Sequence, residues 1–113
     1  MKRKITEQSA FAKTINKLIA KNKVLHRDFE AFKKHLAENP DIGDLISSTG
    51  GVRKTRLKGP ARGKRSGFRV IYFDDIFKNE IFLIVIYPKN EKEDLEPHEK
   101  KYLRELTKEL RAR

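Results

Sequence analysis

The stretch Gly50-Gly51-Val52-Arg53-Lys54-Thr55-Arg56-Leu57-Lys58, followed after a Gly/Pro-broken loop by Ser66-Gly67-Phe68-Arg69-Val70-Ile71-Tyr72-Phe73, decides the fold. Its two halves read as strands, from about Val52 to Leu57 and from Phe68 to Phe73, the second strongly β-branched and aromatic. Between Leu45 and Phe73 stand eight Lys/Arg and no Asp or Glu. The formal net charge is +11, so the rest of the chain contributes only +3 (11 − 8). Strands this basic, joined by a cationic loop carrying Lys58, Arg62, Lys64 and Arg65, read as a phosphate-binding surface.

Outward from this pair, Ile81 to Tyr87 is a further apolar strand, joined to the previous one around Asp74 to Asn79, with the earlier strand extending at most to Phe77. Toward the N-terminus, Phe11, Ile15, Leu18 and Ile19 recur at helical spacing from about Glu7 to Ala20, with Thr6 or Ser9 as the capping oxygen. Lys21-Asn22-Lys23 interrupts that pattern. Leu25, Phe29, Phe32 and Leu36 then mark a second helix, which Asn39-Pro40 stops because proline cannot continue the hydrogen-bond ladder. Lys2 to Thr6 is a candidate short strand. Leu45-Ile46 is expected to tuck a loop against the core. Pro97 suits a first helical turn, and Tyr102, Leu103, Leu106 and Leu110 mark a C-terminal amphipathic helix. The predicted order is (β)ααβββα. It implies an α+β fold: an antiparallel sheet, one short N-terminal strand plus three main ones, packed against an N-terminal helix hairpin and a C-terminal helix.

At 113 residues the chain is read as a single domain, 1–113, with a modest core. The absence of cysteine rules out disulfides, a thiolate nucleophile and a cysteine zinc site, and fits a cytoplasmic protein. Met1-Lys2-Arg3-Lys4 is basic but no apolar segment follows it, so no signal peptide is expected. No apolar run has the length of a membrane span, and no membrane partner is expected. His26, His35 and His98 show no metal-ligand spacing, and no metal or cofactor is expected.

Alternation on a strand puts Lys54 and Arg56 on one face and Arg53 on the other. Arg69 lies between Phe68 and Val70 in an otherwise apolar strand, and a desolvated guanidinium needs either an internal carboxylate or an external phosphate. Asp74, Asp75 and Asp94 are the internal candidates. Tyr87 and Lys89 share a face at the end of the last strand, with Lys92 just beyond. If neighbouring strands pair antiparallel, Lys54, Arg56, Arg69, Tyr87 and Lys89 converge on one patch.

Such a patch suits RNA cleavage by attack of a 2′-hydroxyl on its own phosphate. That reaction needs a base for the hydroxyl, cations for the charge gathering on phosphorus, and an acid for the leaving 5′-oxygen. Planar guanidinium forks match phosphate oxygens, and a lysine crowded by other cations, or a tyrosine, can exchange a proton. The plainer reading is a solvated basic surface or general RNA binding, with Tyr87 as packing.

Gly51-Val-Arg-Lys-Thr-Arg-Leu57, Gly63-Lys-Arg-Ser-Gly-Phe-Arg-Val-Ile-Tyr-Phe73 and Ile86-Tyr-Pro-Lys-Asn-Glu-Lys-Glu-Asp-Leu95 together resemble the RelE/ParE superfamily of toxins of type II toxin-antitoxin systems, with the HigB-type branch nearest. The resemblance covers about residues 40 to 111. It implies an endoribonuclease, an mRNA interferase, that cuts mRNA in the ribosomal A site. It also implies a cognate antitoxin, a helix-turn-helix protein of the HigA kind. Lys54 and Arg56 match the family's Lys-x-Lys pair, and Gly67-Phe68-Arg69 its Gly-aromatic-Arg. The basic loop, together with Arg53, is then a contact for ribosomal RNA. The last motif departs from the pattern: Pro88-Lys89-Asn90 lacks the arginine, and Glu96 stands where a tyrosine is usual. Tyr87, Lys89 and Lys92 are substitutes by proximity. The departure leaves open the ParE-type alternative, a gyrase inhibitor that cuts no RNA.

Overall fold

The computed structural model describes residues 2–57, 67–92 and 94–113. The basic loop bearing Lys58, Arg62, Lys64 and Arg65 lies outside them. The order is β1 (Lys4–Glu7), α1 (Ser9–Lys21), α2 (Lys23–Glu38), β2 (Asp44–Leu45), β3 (Val52–Leu57), β4 (Phe68–Asp75), β5 (Glu80–Pro88) and α3 (Pro97–Ala112). The strands form one sheet in the order β1-β5-β4-β3-β2.

The predicted α+β architecture is present, with two differences. The sheet is mixed: β1 runs parallel to β5, while β2/β3, β3/β4 and β4/β5 are antiparallel. Antiparallel pairing is forced only where a short turn joins two strands, and most of the chain separates β1 from β5. The second difference is β2, two residues laid against Arg53 and Lys54. Leu45 in β2 is exposed, and only Ile46 packs inward.

Two cores sandwich the sheet. On one face the α1/α2 hairpin buries Phe11, Ile15, Leu25, Phe29 and Leu36 against Leu57, Val70, Tyr72, Ile81, Leu83 and Ile86. The hairpin forms because Asn22 ends α1 and caps α2, its side chain accepting from the Val24 amide at 3.2 Å. Neither Thr6 nor Ser9 caps α1. Gln8 takes that position with no side-chain bond, and its amide donates instead to the Leu83 carbonyl at 2.9 Å. Thr6 turns its hydroxyl to Glu80 across the β1/β5 pair.

On the other face α3 buries Leu103, Thr107 and Leu110 over Val52, Ile71, Phe73, Phe82 and Ile84. Tyr102, expected in that stripe, is 61% exposed. Pro97 opens α3 inside a capping box, in which the Glu99 side chain accepts from the Glu96 amide at 2.8 Å. Farther along, Arg104 and Arg111 donate to the carbonyls of Ser48 and Gly50, fastening α3 to the turn before β3. Gly50 and Gly51 adopt φ of +79° and +112° there, which a side chain would strain.

β4 ends at Asp75, short of Phe77. The buried Asp75 carboxylate accepts from the Lys78 amide at 3.2 Å, closing the turn and leaving Phe77 fully exposed. Among the described residues, no helix is long and apolar enough to cross a membrane.

Candidate active site

Strand alternation on β3 places Lys54 and Arg56 on the α3 face with Val52, and Arg53 on the hairpin face. There the Arg53 guanidinium donates to the carbonyls of Gly43 at 2.6 Å and Asp41 at 3.4 Å. Arg53 therefore ties down the segment between α2 and β2. On β4, Arg69, Ile71 and Phe73 share the α3 face.

The register then aligns two rows. Arg56 stands opposite Arg69, and Arg69 opposite Tyr87; one step along the face, Lys54 stands opposite Ile71, and Ile71 opposite Val85. Tyr87 reaches this face through an irregularity. Between Ile71 and Tyr72 the β4/β5 register slips, so that Ile71 faces Val85 while Tyr72 faces Leu83. The extra residue, Ile84, inverts the alternation of β5. Phe82 and Ile84 before it and Val85 and Tyr87 after it all join the α3-side core, while Ile81, Leu83 and Ile86 join the other.

Two guanidinium groups directly across a strand pair repel, and an anion between them relieves the cost. Among the described residues neither Arg56 nor Arg69 has an ion pair with a carboxylate. The three aspartates considered as internal partners for Arg69 are engaged elsewhere. Asp74 accepts from the Arg3 Nε at 2.7 Å, Asp75 closes the β4/β5 turn, and Asp94 lies 3.8 Å from the Lys54 Nζ.

Tyr87 is 5% exposed, and its hydroxyl has no hydrogen-bond partner among the described residues. Burial pushes the phenol pKa up, partly countered by the positive charges of Lys92 and Arg69. It therefore keeps its proton at neutral pH and has it to give. The Lys92 Nζ stands 5.2 Å from the Tyr87 ring centroid and is ion-paired with Glu99. That bond, and then the Glu96 amide, hold the Glu99 carboxyl below the usual range. Lys89 follows β5 in a turn, its amide donating to the Gly67 carbonyl at 3.0 Å.

The structure thus brings Lys54, Arg56, Arg69, Tyr87 and Lys92 to one face. Lys89 lies just past the end of β5, and Arg53 sits on the opposite side of the sheet. Sequence reasoning missed Glu99, and it offered Asp94 as a partner for Arg69 where the structure sets it beside Lys54. The Glu96-x-x-Glu99 spacing around Pro97 is a capping-box signal and could have pointed to Glu99. Among the described residues no group of three His, Asp or Glu is arranged to hold a metal ion.

A mixed sheet with a cationic row on one face, backed by a helical hairpin and closed by a C-terminal helix, defines a small α+β domain of a recognisable kind. A family model described as the RelE toxin of the RelE/RelB toxin-antitoxin system matches residues 3–113. The chain belongs to the RelE toxin family and is the toxin of a toxin-antitoxin pair. Among solved structures it is similar to a free-state form of the E. coli toxin RelE in which two arginines are replaced by alanine. The TM-score is 0.63 at 18% identity, covering 82% of this chain and 90% of that one, a likeness that carries the fold.

Proposed function

We propose that this toxin is an endoribonuclease that cuts mRNA in the ribosomal A site and so stops translation. The observation that carries the reading is the row Arg56–Arg69–Tyr87: among the described residues, two cations without a carboxylate partner stand beside a buried hydroxyl without a hydrogen-bond partner. A phosphate seated on that row meets two guanidinium forks and one phenol donor. The 2′-oxygen bonds to phosphorus as its proton leaves to a base, and the bond from phosphorus to the 5′-oxygen breaks as that oxygen takes a proton. The products are a 2′,3′-cyclic phosphate and a 5′-hydroxyl. Arg56 and Arg69 neutralise the charge gathering on phosphorus. Tyr87, holding its proton, is suited to the acid role. Lys54, Lys89 and Lys92 are the candidates for receiving the 2′-hydroxyl proton, each only as the neutral amine, which for Lys54 and Lys92 means outside their ion pairs with Asp94 and Glu99. We assign the basic loop of Lys58, Arg62, Lys64 and Arg65 to ribosomal RNA, and a helix-turn-helix protein of the HigA kind to the antitoxin role, both in the cytoplasm; Arg53, expected to join that contact, is instead engaged with the Gly43 and Asp41 carbonyls.

Mapping mRNA 5′ ends shortly after induction, with translation running and with it blocked, tests this reading. New ends are expected only when ribosomes are translating. Intact mRNA with inhibited DNA supercoiling would overturn the reading in favour of gyrase inhibition. Intact mRNA with salt-dependent RNA binding alone would leave a plain RNA-binding protein.

A further inference from the structure

Between the first turns of α3 and the sheet lies a cleft of about 400 Å³ that the proposed chemistry does not use. Ile71, Val85, Leu95 and Leu103 make its apolar floor, and His98 and Tyr102 stand at its side. Lys92 and Glu99 form the polar rim, and Lys92 also lies over the Tyr87 ring, so the cleft and the cationic row share a wall. The pair Ile71 and Val85 is one same-face step, roughly 7 Å, from the pair Arg69 and Tyr87, since each residue of a strand rises about 3.4 Å.

We infer that this cleft is a nucleobase subsite, taking the base of a nucleotide next to the phosphate held on the Arg56–Arg69–Tyr87 row. The inference rests on the RNA-cleaving reading and adds a specificity element to it. An apolar floor, an aromatic side and a few polar groups at one edge are what a flat heterocycle with a hydrogen-bonding rim needs. Tyr102 explains itself on this reading. It stands one residue before Leu103, the first buried position of α3, and keeps 61% of its surface exposed at the cleft, where a ring can stack on a base. The Glu99 carboxylate, fixed by Lys92 and the Glu96 amide, is an acceptor for a base's exocyclic amino group. The neighbouring Lys92, Arg69 and Arg56 favour a ligand carrying phosphate, and the cleft is too small for a helix, about 10 Å across with its side chains. A nucleotide fits both limits.

The test is methyl NMR on the whole chain, titrated with each nucleoside 3′-monophosphate and with ribose 5-phosphate as the base-free control. Nucleotides are expected to move the methyl signals of Ile71, Val85 and Leu103, and ribose 5-phosphate is expected to leave them in place. Tyr102→Ala should weaken the nucleotide effect about tenfold, from the loss of one stacking contact. Val85→Phe, which fills the floor, should abolish it. Equal shifts with ribose 5-phosphate, or no shift with any nucleotide, would overturn the subsite. So would occupation of the same methyls by an acidic antitoxin peptide when nucleotides leave them unmoved.

A second readout is the base preference at mapped cleavage sites. Tyr102→Ala should redistribute relative cleavage among codons about tenfold. Unchanged preference in that folded variant would end the subsite while leaving the endonuclease reading intact. Base-dependent methyl shifts with intact cellular mRNA would end the endonuclease reading while leaving the subsite.

Discussion

Tyr72 and Tyr87 are both buried on opposite faces of one sheet, and what their hydroxyls meet separates the two faces. The Tyr72 oxygen donates to the Pro40 carbonyl at 2.7 Å and accepts from the Gly43 amide at 2.9 Å. Gly43 is there because a Cβ would lie 2.8 Å from the Tyr72 ring and 2.9 Å from the Lys54 carbonyl. The Tyr87 oxygen has neither kind of partner among the described residues. β3 repeats the contrast: Arg53, toward the hairpin, spends its guanidinium on two carbonyls, while Arg56, on the α3 face, has no carboxylate partner among the described residues. An unsatisfied buried hydroxyl and adjacent like charges both cost stability. Their concentration on the α3 face is what the proposed phosphate site would require, whereas the corresponding groups on the hairpin face are satisfied within the fold.

The comparison breaks most readily at Arg69. Arg69→Ala should lower mRNA cleavage by about 10²–10³-fold, as loss of a transition-state cation does. Its unfolding free energy should stay within about 0.5 kcal/mol of the parent, because no ion pair among the described residues is lost. Full cleavage in that variant, measured by 5′-end mapping, would remove the α3 face from the chemistry.

The two tyrosines give a sharper pair. Tyr87→Phe should cost about 10²-fold in cleavage, the scale of one general acid, with stability unchanged or raised, since it deletes a buried hydroxyl that has no partner among the described residues. Tyr72→Phe should do the reverse. Cleavage should be retained, while denaturant unfolding should show a loss of about 1–3 kcal/mol from the stranded Pro40 carbonyl and Gly43 amide. A stability loss in Tyr87→Phe equal to that in Tyr72→Phe would mean the faces do not differ.

Alkaline titration extends the same pair. Burial is the first cause of a raised pKa in both phenols. Their contribution to stability is therefore fully present below the ordinary tyrosine value and is lost as pH rises through the raised folded value. Each Phe variant should flatten the alkaline fall of stability relative to the parent, as chemical denaturation across that range would show.

The smallest effect belongs to Glu99. Its folded pKa is lowered by Lys92 and then by the Glu96 amide, so its contribution is present above the ordinary carboxylate range and lost as pH falls through the lowered value. Glu99→Gln should cost about 0.5–1 kcal/mol at neutral pH and shrink that acid-side loss. An acid limb identical to the parent's would show that the pair with Lys92 holds nothing in place.

Much of this was legible from residues alone. The helical stripes of α1 and α2, their stop at Asn39-Pro40, the three long strands and the start of α3 at Pro97 follow from local periodicity and from what proline and β-branched side chains allow. So does the separation of Arg53 from Lys54 and Arg56, because a strand alternates. Tyr102 was misread because helical spacing marks a stripe and cannot tell which edge of it a neighbouring sheet covers. The parallel pairing of β1 was hidden because its partner lies at the far end of the chain.

The sequence by itself determined where the cations are and which of them share a strand face. That they meet Tyr87 followed from the sequence only on an assumed register, and the register itself was decided by tertiary structure. Unbroken alternation along β5 would have put Tyr87 with Ile81 and Leu83 beneath the hairpin. The single extra residue at Ile84 turns it to the opposite face, opposite Arg69. A bulge is a property of two strands negotiating one register against two packed cores, so no local pattern in either strand announces it.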